Sequence, residues 1–432
     1  MPLENCTLEL DTVQSPPTSV IGTRPEGPPA ERIGHSPRRS WPVERAVLRR
    51  LWQEIGQPPI QIVLWDGEAI GTQANAGRIV IHQPRVLWHL GLQPSLAFGE
   101  AYRRGGLDIE GDLVTVLETL NRGLARHQTH SIPSRLWRSL NTRLRSHSVR
   151  ASKAAVYHHY DLGNDFYRLW LDEQLVYTCA YYAQPDMTLE EAQSAKLDYV
   201  CRKLRLKPGE TVAEAGCGWG ALALHMAREY GVKVQAFNLS REQLAYARQR
   251  AQTEGLSHRV EFIEDDYRNV RGRFDAFVSV GMLEHVGRDN LPEFGRVMDR
   301  VLTPDGRGLV HSIGRNVPAP IDPWTDKYIF PGAYPPSLCE IIKLFEVTGF
   351  SVLDVENLRL HYAQTCKAWL SRFDEAADEV ALMFDEQFVR LWRLYLAASA
   401  ATFLSGDAQL FQVVFARPTN NAIPRTRADW YG

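Results

Sequence analysis

The 432-residue chain has no uninterrupted apolar run near the ~20 residues a bilayer-spanning helix needs. An integral membrane protein is therefore not expected. Net charge is nearly absent: 49 Lys+Arg stand against 51 Asp+Glu, a formal −2. That balance excludes the basic excess of a general nucleic-acid binder. Cys6, Cys179, Cys201, Cys217, Cys339 and Cys366 form no CxxC pair and have no histidine at zinc spacing. Reduced thiols and no metal site are the expectation. The first 19 residues lack a basic stretch followed by an apolar one, so no secretory leader is read, and a cytoplasmic location follows.

The composition that is present divides the chain. Eight prolines fall in the first 42 residues, which show almost no apolar periodicity. Residues 1–41 are predicted to be a disordered tail, unable to bury enough apolar surface to offset ordering. Residues 42–126 read as a small α+β module. VERAVLRRLWQEIG is helix-like, and IQIVLWDG and GRIVIHQP alternate like a strand pair. A helix, a Gly-rich turn and a second helix capped by Asp112 follow. No acidic residue lies between Glu118 and Asp161, whereas Arg122, Arg126, Arg135, Arg138, Arg143, Arg145, Arg150 and Lys153 do. With Trp137 and several leucines, this basic linker (127–155) suits an anionic bilayer surface; a solvated connector is the other reading.

Residues 156–432 alternate strand and helix, the pattern of a doubly wound α/β domain. TVAEAGCG is a strand entering a turn, WGALALHMAREYG a helix, VKVQAFNLS the second strand. Gly216 and Gly218 let the backbone turn tightly and approach a ligand. The helix start that follows favours a negative group. The loose G-x-G-x-x-A spacing fits a dinucleotide or S-adenosylmethionine. A dinucleotide site wants an acid at the end of the second strand, which here reads Phe237-Asn238-Leu239-Ser240. Asp265-Asp266-Tyr267 instead follows the third strand, where an adenine could meet an acid and an aromatic edge. S-adenosylmethionine is the better reading.

The motifs YDLGNDFYRLWLD (160–172), YTCAYY (177–182), AGCGWG (215–220), SVGMLEHVG (279–287), HSIG (311–314), KYIFPG (327–332) and HYAQTCKAW (361–369) occur in this order. With them the chain resembles the cyclopropane-fatty-acyl-phospholipid synthase family, including the mycolic acid cyclopropane synthases. FGEAYRRGGLDIEGDL (98–113) resembles the N-terminal module of its longer members. The resemblance implies a Rossmann-like class I methyltransferase domain with a mainly parallel seven-stranded sheet. It also implies transfer of a methylene from S-adenosylmethionine to a cis double bond of a phospholipid acyl chain, with bound bicarbonate as general base. It places Cys179, Glu284, His311, Ile313 and Tyr362 at the bicarbonate, and Glu214, Gly216 and Gly218 at the methionine end. Tyr160, Gly163 and Asn164 match the segment closing over the cofactor, Asn238 is a further cofactor contact, Gln243 falls near the ribose, and Asp266 and Tyr267 near the adenine. Departures are Asn238-Leu239-Ser240 for TLS, HSIG for HTIG, GMLEHVG for GMFEHVG, and Gly332–Ser337 for GG-x-LPS near the lipid path.

The chemistry explains these residue types. Methyl transfer to an alkene leaves a carbocation, which a desolvated aromatic face stabilises by ~2 kcal/mol. Eight of the 26 residues from Tyr157 to Tyr182 are aromatic, against 10% of the chain, so a ring-lined pocket is expected, with Trp170 as core. Ring closure needs a base for a proton of the added methyl. His311 and Tyr362 can donate to a bound anion, helped by the backbones of Ile313 and Cys179. Glu284 is expected to accept from the anion's hydroxyl or to orient His311, with its pKa raised by burial. An inserted helical segment around Thr325–Glu340 is expected over the lipid, and the N-terminal module to present lipid or mediate dimerisation. Peripheral attachment to the inner membrane face follows. The rival readings are a methyltransferase giving methylene- or methyl-branched chains, a small-molecule N-methyltransferase, and a non-enzymatic lipid-binding module. The joint presence of Glu284, His311, Tyr362 and the glycine turn opposes the last.

Overall fold

The computed structural model describes residues 38–72, 76–128 and 162–431. The expected tail up to Pro37, the linker beyond Gln128 and Tyr160 lie outside them. The described residues from Arg39 onward cluster as one compact unit.

The N-terminal module is built on strands β1 (Gln61–Val63), β2 (Ala69–Gly71), β3 (Arg78–Ile81) and β4 (Leu107–Glu110), ordered β2-β1-β3-β4. The two apolar runs expected to be strands do pair, in parallel, with Ile62 opposite Ile79. The stretch read as a Gly-rich turn contains a strand instead. Leu107–Glu110 pairs antiparallel with β3, and the glycines at its two ends, Gly105 and Gly111, take positive φ and do the turning. Asp112 caps the helix Leu113–Gln128, accepting the Thr115 N–H at 2.8 Å.

The larger sheet holds β5 (Thr211–Ala215), β6 (Lys233–Asn238), β7 (Val260–Glu264), β8 (Phe274–Val280), β9 (Leu302–Gly314), β10 (Ser351–Asn357) and β11 (Gln409–Ala416). Their order is β10-β11-β9-β8-β5-β6-β7, and β11 runs antiparallel to both neighbours while the rest are parallel. This is the expected mainly parallel seven-stranded sheet. Its central strands are apolar on both faces because helices cover both. Strand order reverses between β5 and β8, so a crevice opens beyond their carboxyl ends, where open α/β sheets bind ligands.

The segment expected to be helical around Thr325–Glu340 is two helices, Pro323–Tyr328 and Leu338–Glu346. Pro331, Pro335 and Pro336 interrupt it, since proline lacks the helical N–H. Ser337 caps the second helix, with Glu340 completing the capping box. One apolar cluster runs from Leu48 of the N-terminal module through Tyr167 and Trp170 to Trp392 on the helix Glu386–Ser405. Arg390 of that helix donates to Tyr102 O (2.6 Å) and Asp108 Oδ1 (2.7 Å). Trp324 lies on Gly99 so closely that a Cβ there would be 2.3 Å from the indole. Among the described residues no helix is long and apolar enough to cross a membrane.

The Gly99 contact yields a prediction. Gly99→Ala should lower the urea-unfolding free energy by ~1–3 kcal/mol, the range for overpacking. An unchanged midpoint would mean that Trp324 yields freely.

Candidate active site

Both halves of the site lie at the crevice. On the cofactor side, Glu214 is next to last in β5, 3% exposed, with one carboxylate oxygen buried and unpartnered. Burial pushes this carboxyl up to about 8, opposed by the buried ammonium of Lys196. Gly216 turns at φ +85°, and a Cβ there would lie 2.8 Å from Met282 in the turn after β8. Gly218 faces open space, with nothing within 4 Å of a Cβ. Gly220 is tight again, 2.7 Å from Phe262. Asn238 Nδ2 donates to Gly218 O (3.2 Å) and Gln243 Oε1 (2.8 Å), bringing three expected positions together. Asn164, just after Gly163 at φ +92°, joins them by accepting the Trp219 indole N–H at 2.7 Å.

Asp266 and Tyr267, expected near the adenine, open the short turn after β7. The Asp266 carboxylate takes the backbone N–H and the guanidinium of Arg268, each at 3.0 Å. Tyr267 is a core residue here, edge-on to Phe294 at 5.3 Å.

On the other side, Glu284 sits in the short helix Leu283–Val286, 5% exposed. Its Oε2 accepts from Ser312 Oγ (2.9 Å) and its Oε1 from the Ile313 N–H (3.1 Å). Burial pushes its pKa up to about 7, the expected direction. Two expectations need correction. Glu284 is held by Ser312 and Ile313 and does not orient His311. The Ile313 N–H, expected to face the anion, is given to Glu284. His311 is oriented from β11: Gln412 lies opposite it in register, with Nε2 3.2 Å from His311 Nδ1. An amide donating to Nδ1 leaves the imidazole proton on Nε2, which is buried without a protein partner. Burial lowers the His311 pKa to about 3, so the ring is neutral at neutral pH.

Cys179 is fully buried and its thiol is pushed well up by burial, which suits packing and not nucleophilic attack. It shares an apolar cluster with Leu358, Leu410, Ile313 and Tyr362. The Tyr362 ring stacks on Phe403 at 4.6 Å and meets Trp369 edge-on. Tyr167, Trp170, Tyr177 and Trp219 extend this wall of rings, with Trp170 wholly buried as core. Ser312, Gln412 and Lys196 were not singled out in the sequence. Ser312 could have been found inside HSIG. Lys196, whose ammonium donates to Thr178 Oγ1 (3.0 Å) and is lowered to about 8 by burial, has no local signal.

A sheet with its one reversed strand next to the edge, and a glycine turn opening at its switch point, define a class I methyltransferase. S-adenosylmethionine fits the residues: the free Glu214 oxygen suits its ammonium, and the space at Gly218 leaves room for the ligand beside the turn. Residues 147–413 match the mycolic acid cyclopropane synthetase model, and 47–129 match a domain of unknown function. A Pseudomonas putida protein described as a probable fatty acid methyltransferase is 37% identical, over 86% of this chain and 96% of its own. The Escherichia coli K12 cyclopropane-fatty-acyl-phospholipid synthase is 38% identical, over 83% and 92%. The structure of mycolic acid cyclopropane synthase CmaA1 complexed with SAH and CTAB superposes with a TM-score of 0.59 at 30% identity, covering 61% of this chain and 98% of that one. The chain belongs to the mycolic acid cyclopropane synthetase family and is an S-adenosylmethionine-dependent methyltransferase.

The site yields two predictions. Gly218→Ala, strained by ~1 kcal/mol at φ +53°, should still fold and weaken S-adenosylmethionine binding by about tenfold or more in calorimetry, whereas Gly220→Ala, strained and also crowded, should destabilise the fold further. Equal effects of the two would remove the cofactor from Gly218. The second concerns Glu284. A carboxyl raised from 4.5 to about 7 binds its proton more tightly when folded. Wild-type stability from this group therefore falls as pH rises through that window. Glu284→Gln lacks this slope, so its stability relative to wild type should rise by up to ~3 kcal/mol between pH 5 and 8 in urea unfolding. Parallel pH curves would show that Glu284 ionises without penalty.

Proposed function

We propose that the enzyme is a cyclopropane-fatty-acyl-phospholipid synthase that uses bound bicarbonate as base. The observation carrying this reading is a fixed donor and acceptor set that is buried beside a wall of rings. His311 Nε2 is a buried donor without a protein partner, and Glu284 is an acceptor already held by two N–H or O–H groups. The Gly281 N–H donates to His311 O at 2.9 Å, so His311 adjoins the turn that leads to Glu284. A small anion with one hydroxyl matches that set: His311 donates to it, and it donates to Glu284. The named activity of the Escherichia coli relative supports the same reaction.

When bound, the sulfonium supplies an electrophilic methyl group. Glu214 and the glycine turn orient it, and exclusion of water leaves the alkene as the nucleophile. As the C–S bond breaks and a C–C bond forms, positive charge appears on the acyl chain, where ring faces stabilise it. His311 and Tyr362 would hold the anion, which would supply the base for a proton of the added methyl. The electron pair left behind closes the second C–C bond, and S-adenosylhomocysteine departs. We place the reaction at the inner bilayer surface, where residues 127–155 meet anionic lipid and residues 42–126 present substrate or pair two copies.

The Pseudomonas putida relative's description favours a second reading, simple methyl branching of the chain. Methyl-deuterated S-adenosylmethionine with unsaturated phospholipid vesicles separates the two by mass spectrometry. A one-carbon adduct that keeps two deuterons and resists mild hydrogenation is expected. Three retained deuterons, or an adduct that hydrogenates, would replace the cyclopropane with a branch, and no adduct would point to soluble amines. Glu284→Ala and Tyr362→Phe should each lower turnover by ~100-fold, as loss of proton-transfer machinery does, with cofactor affinity retained.

A further inference from the structure

We propose that His361 is a positioning residue that locks the segment carrying Cys179 to the helix carrying Tyr362, and that the C-terminal stretch 417–431 holds it through a column of stacked side chains. The His361 Nδ1 accepts the backbone N–H of Tyr182 at 3.1 Å. Its carbonyl accepts from Thr365 Oγ1 (2.7 Å), and that oxygen accepts the Ala180 N–H (3.0 Å). The N–H groups on either side of Tyr181 are thus tied to one turn of the helix Arg359–Glu375, on which Tyr362 is the next residue.

The ring of His361 lies on Tyr181 at 4.8 Å and 17°, and Tyr181 lies on Tyr199 at 4.3 Å and 22°. Lys203 continues the column. Its ammonium is 4.5 Å from the centre of the Tyr199 ring and 5.4 Å from that of Trp430. The Lys203 side chain is fully buried and paired with Asp354 and Glu356, and Asp354 also pairs with Arg427 of the C-terminal stretch. Trp430, 4% exposed, closes the column from the short helix Ala428–Tyr431. A desolvated ammonium between two aromatic faces is held by both ring quadrupoles. Removing the indole takes away one of the two ring faces on Lys203 and leaves the ammonium to Asp354 and Glu356 alone, which weakens its packing on Tyr199 and so loosens the ring that His361 rests on. Residues matching the family model end at 413, before this stretch begins.

The inference rests on the proposed lipid reaction only through its turnover assay, so the test pairs turnover with hydrogen exchange in the full-length enzyme. Trp430→Ala and His361→Phe should speed exchange across 178–182 and leave 214–220 unchanged. Turnover on unsaturated phospholipid vesicles should fall about tenfold at saturating lipid, with cofactor affinity unchanged. Trp430→Phe, which keeps a ring face, and His361→Asn, which keeps an acceptor, should restore most of it. Wild-type turnover in His361→Phe, or unchanged exchange at 178–182 in Trp430→Ala, would overturn the proposal. If Trp430→Ala does not fold, Trp430→Leu replaces it with the same two criteria. A wild-type enzyme that modifies no lipid would refute the proposed function, while the exchange data would still decide the role of His361.

Discussion

The turn after β5 and the turn after β8 touch at Gly216 and Met282, and the contact has no room for one more carbon. The active site depends on that approach. It brings the strand end that carries Glu214 beside the turn that carries Glu284, two carboxylates that lie 70 positions apart in the chain. A left-handed backbone at Gly216 is what permits it, since any Cβ would push the two turns apart. The open space at Gly218 exists because the neighbouring tight positions, Gly216 and Gly220, keep the loop against the sheet.

Burial works against charge throughout the site built there. Burial raises Glu214 and Glu284 and lowers His311 and Lys196, each toward its neutral form. Such a site favours an apolar substrate, and its fixed dipoles need no reorganisation as charge develops. Glu284 shows how few groups this takes: two donors from consecutive residues of β9 hold it, so its remaining lone pairs are aimed rather than free.

The aromatic wall is supported from outside the sheet. The helix Glu386–Ser405 contributes Trp392, Tyr395 and Phe403, and its other contacts reach the N-terminal module through Arg390. The shared apolar cluster makes the module and the wall one packed body. A change in the module's packing is therefore transmitted to the rings, because close-packed interiors pass on strain instead of absorbing it.

Much of the site was legible in short motifs: the glycine turn, Glu284 in GMLEHVG, His311 in HSIG, and Tyr362 in HYAQT. The strand and helix alternation after residue 210 and the Asp112 cap were legible for the same reason, since apolar period, capping and φ freedom act over a few residues. Other features had no local trace. Gln412 orients His311 from 101 residues away, and only the register of β9 against β11 brings it there. The parallel pairing of β1 with β3, the strand at Leu107–Glu110 and the burial of Tyr267 likewise follow from which partners were available. By itself, the sequence determined most of the elements and the reactive side-chain types, because these are local chemistry. Only the tertiary structure decided which donors meet which acceptors, because register across distant strands is set by the packing of the whole sheet.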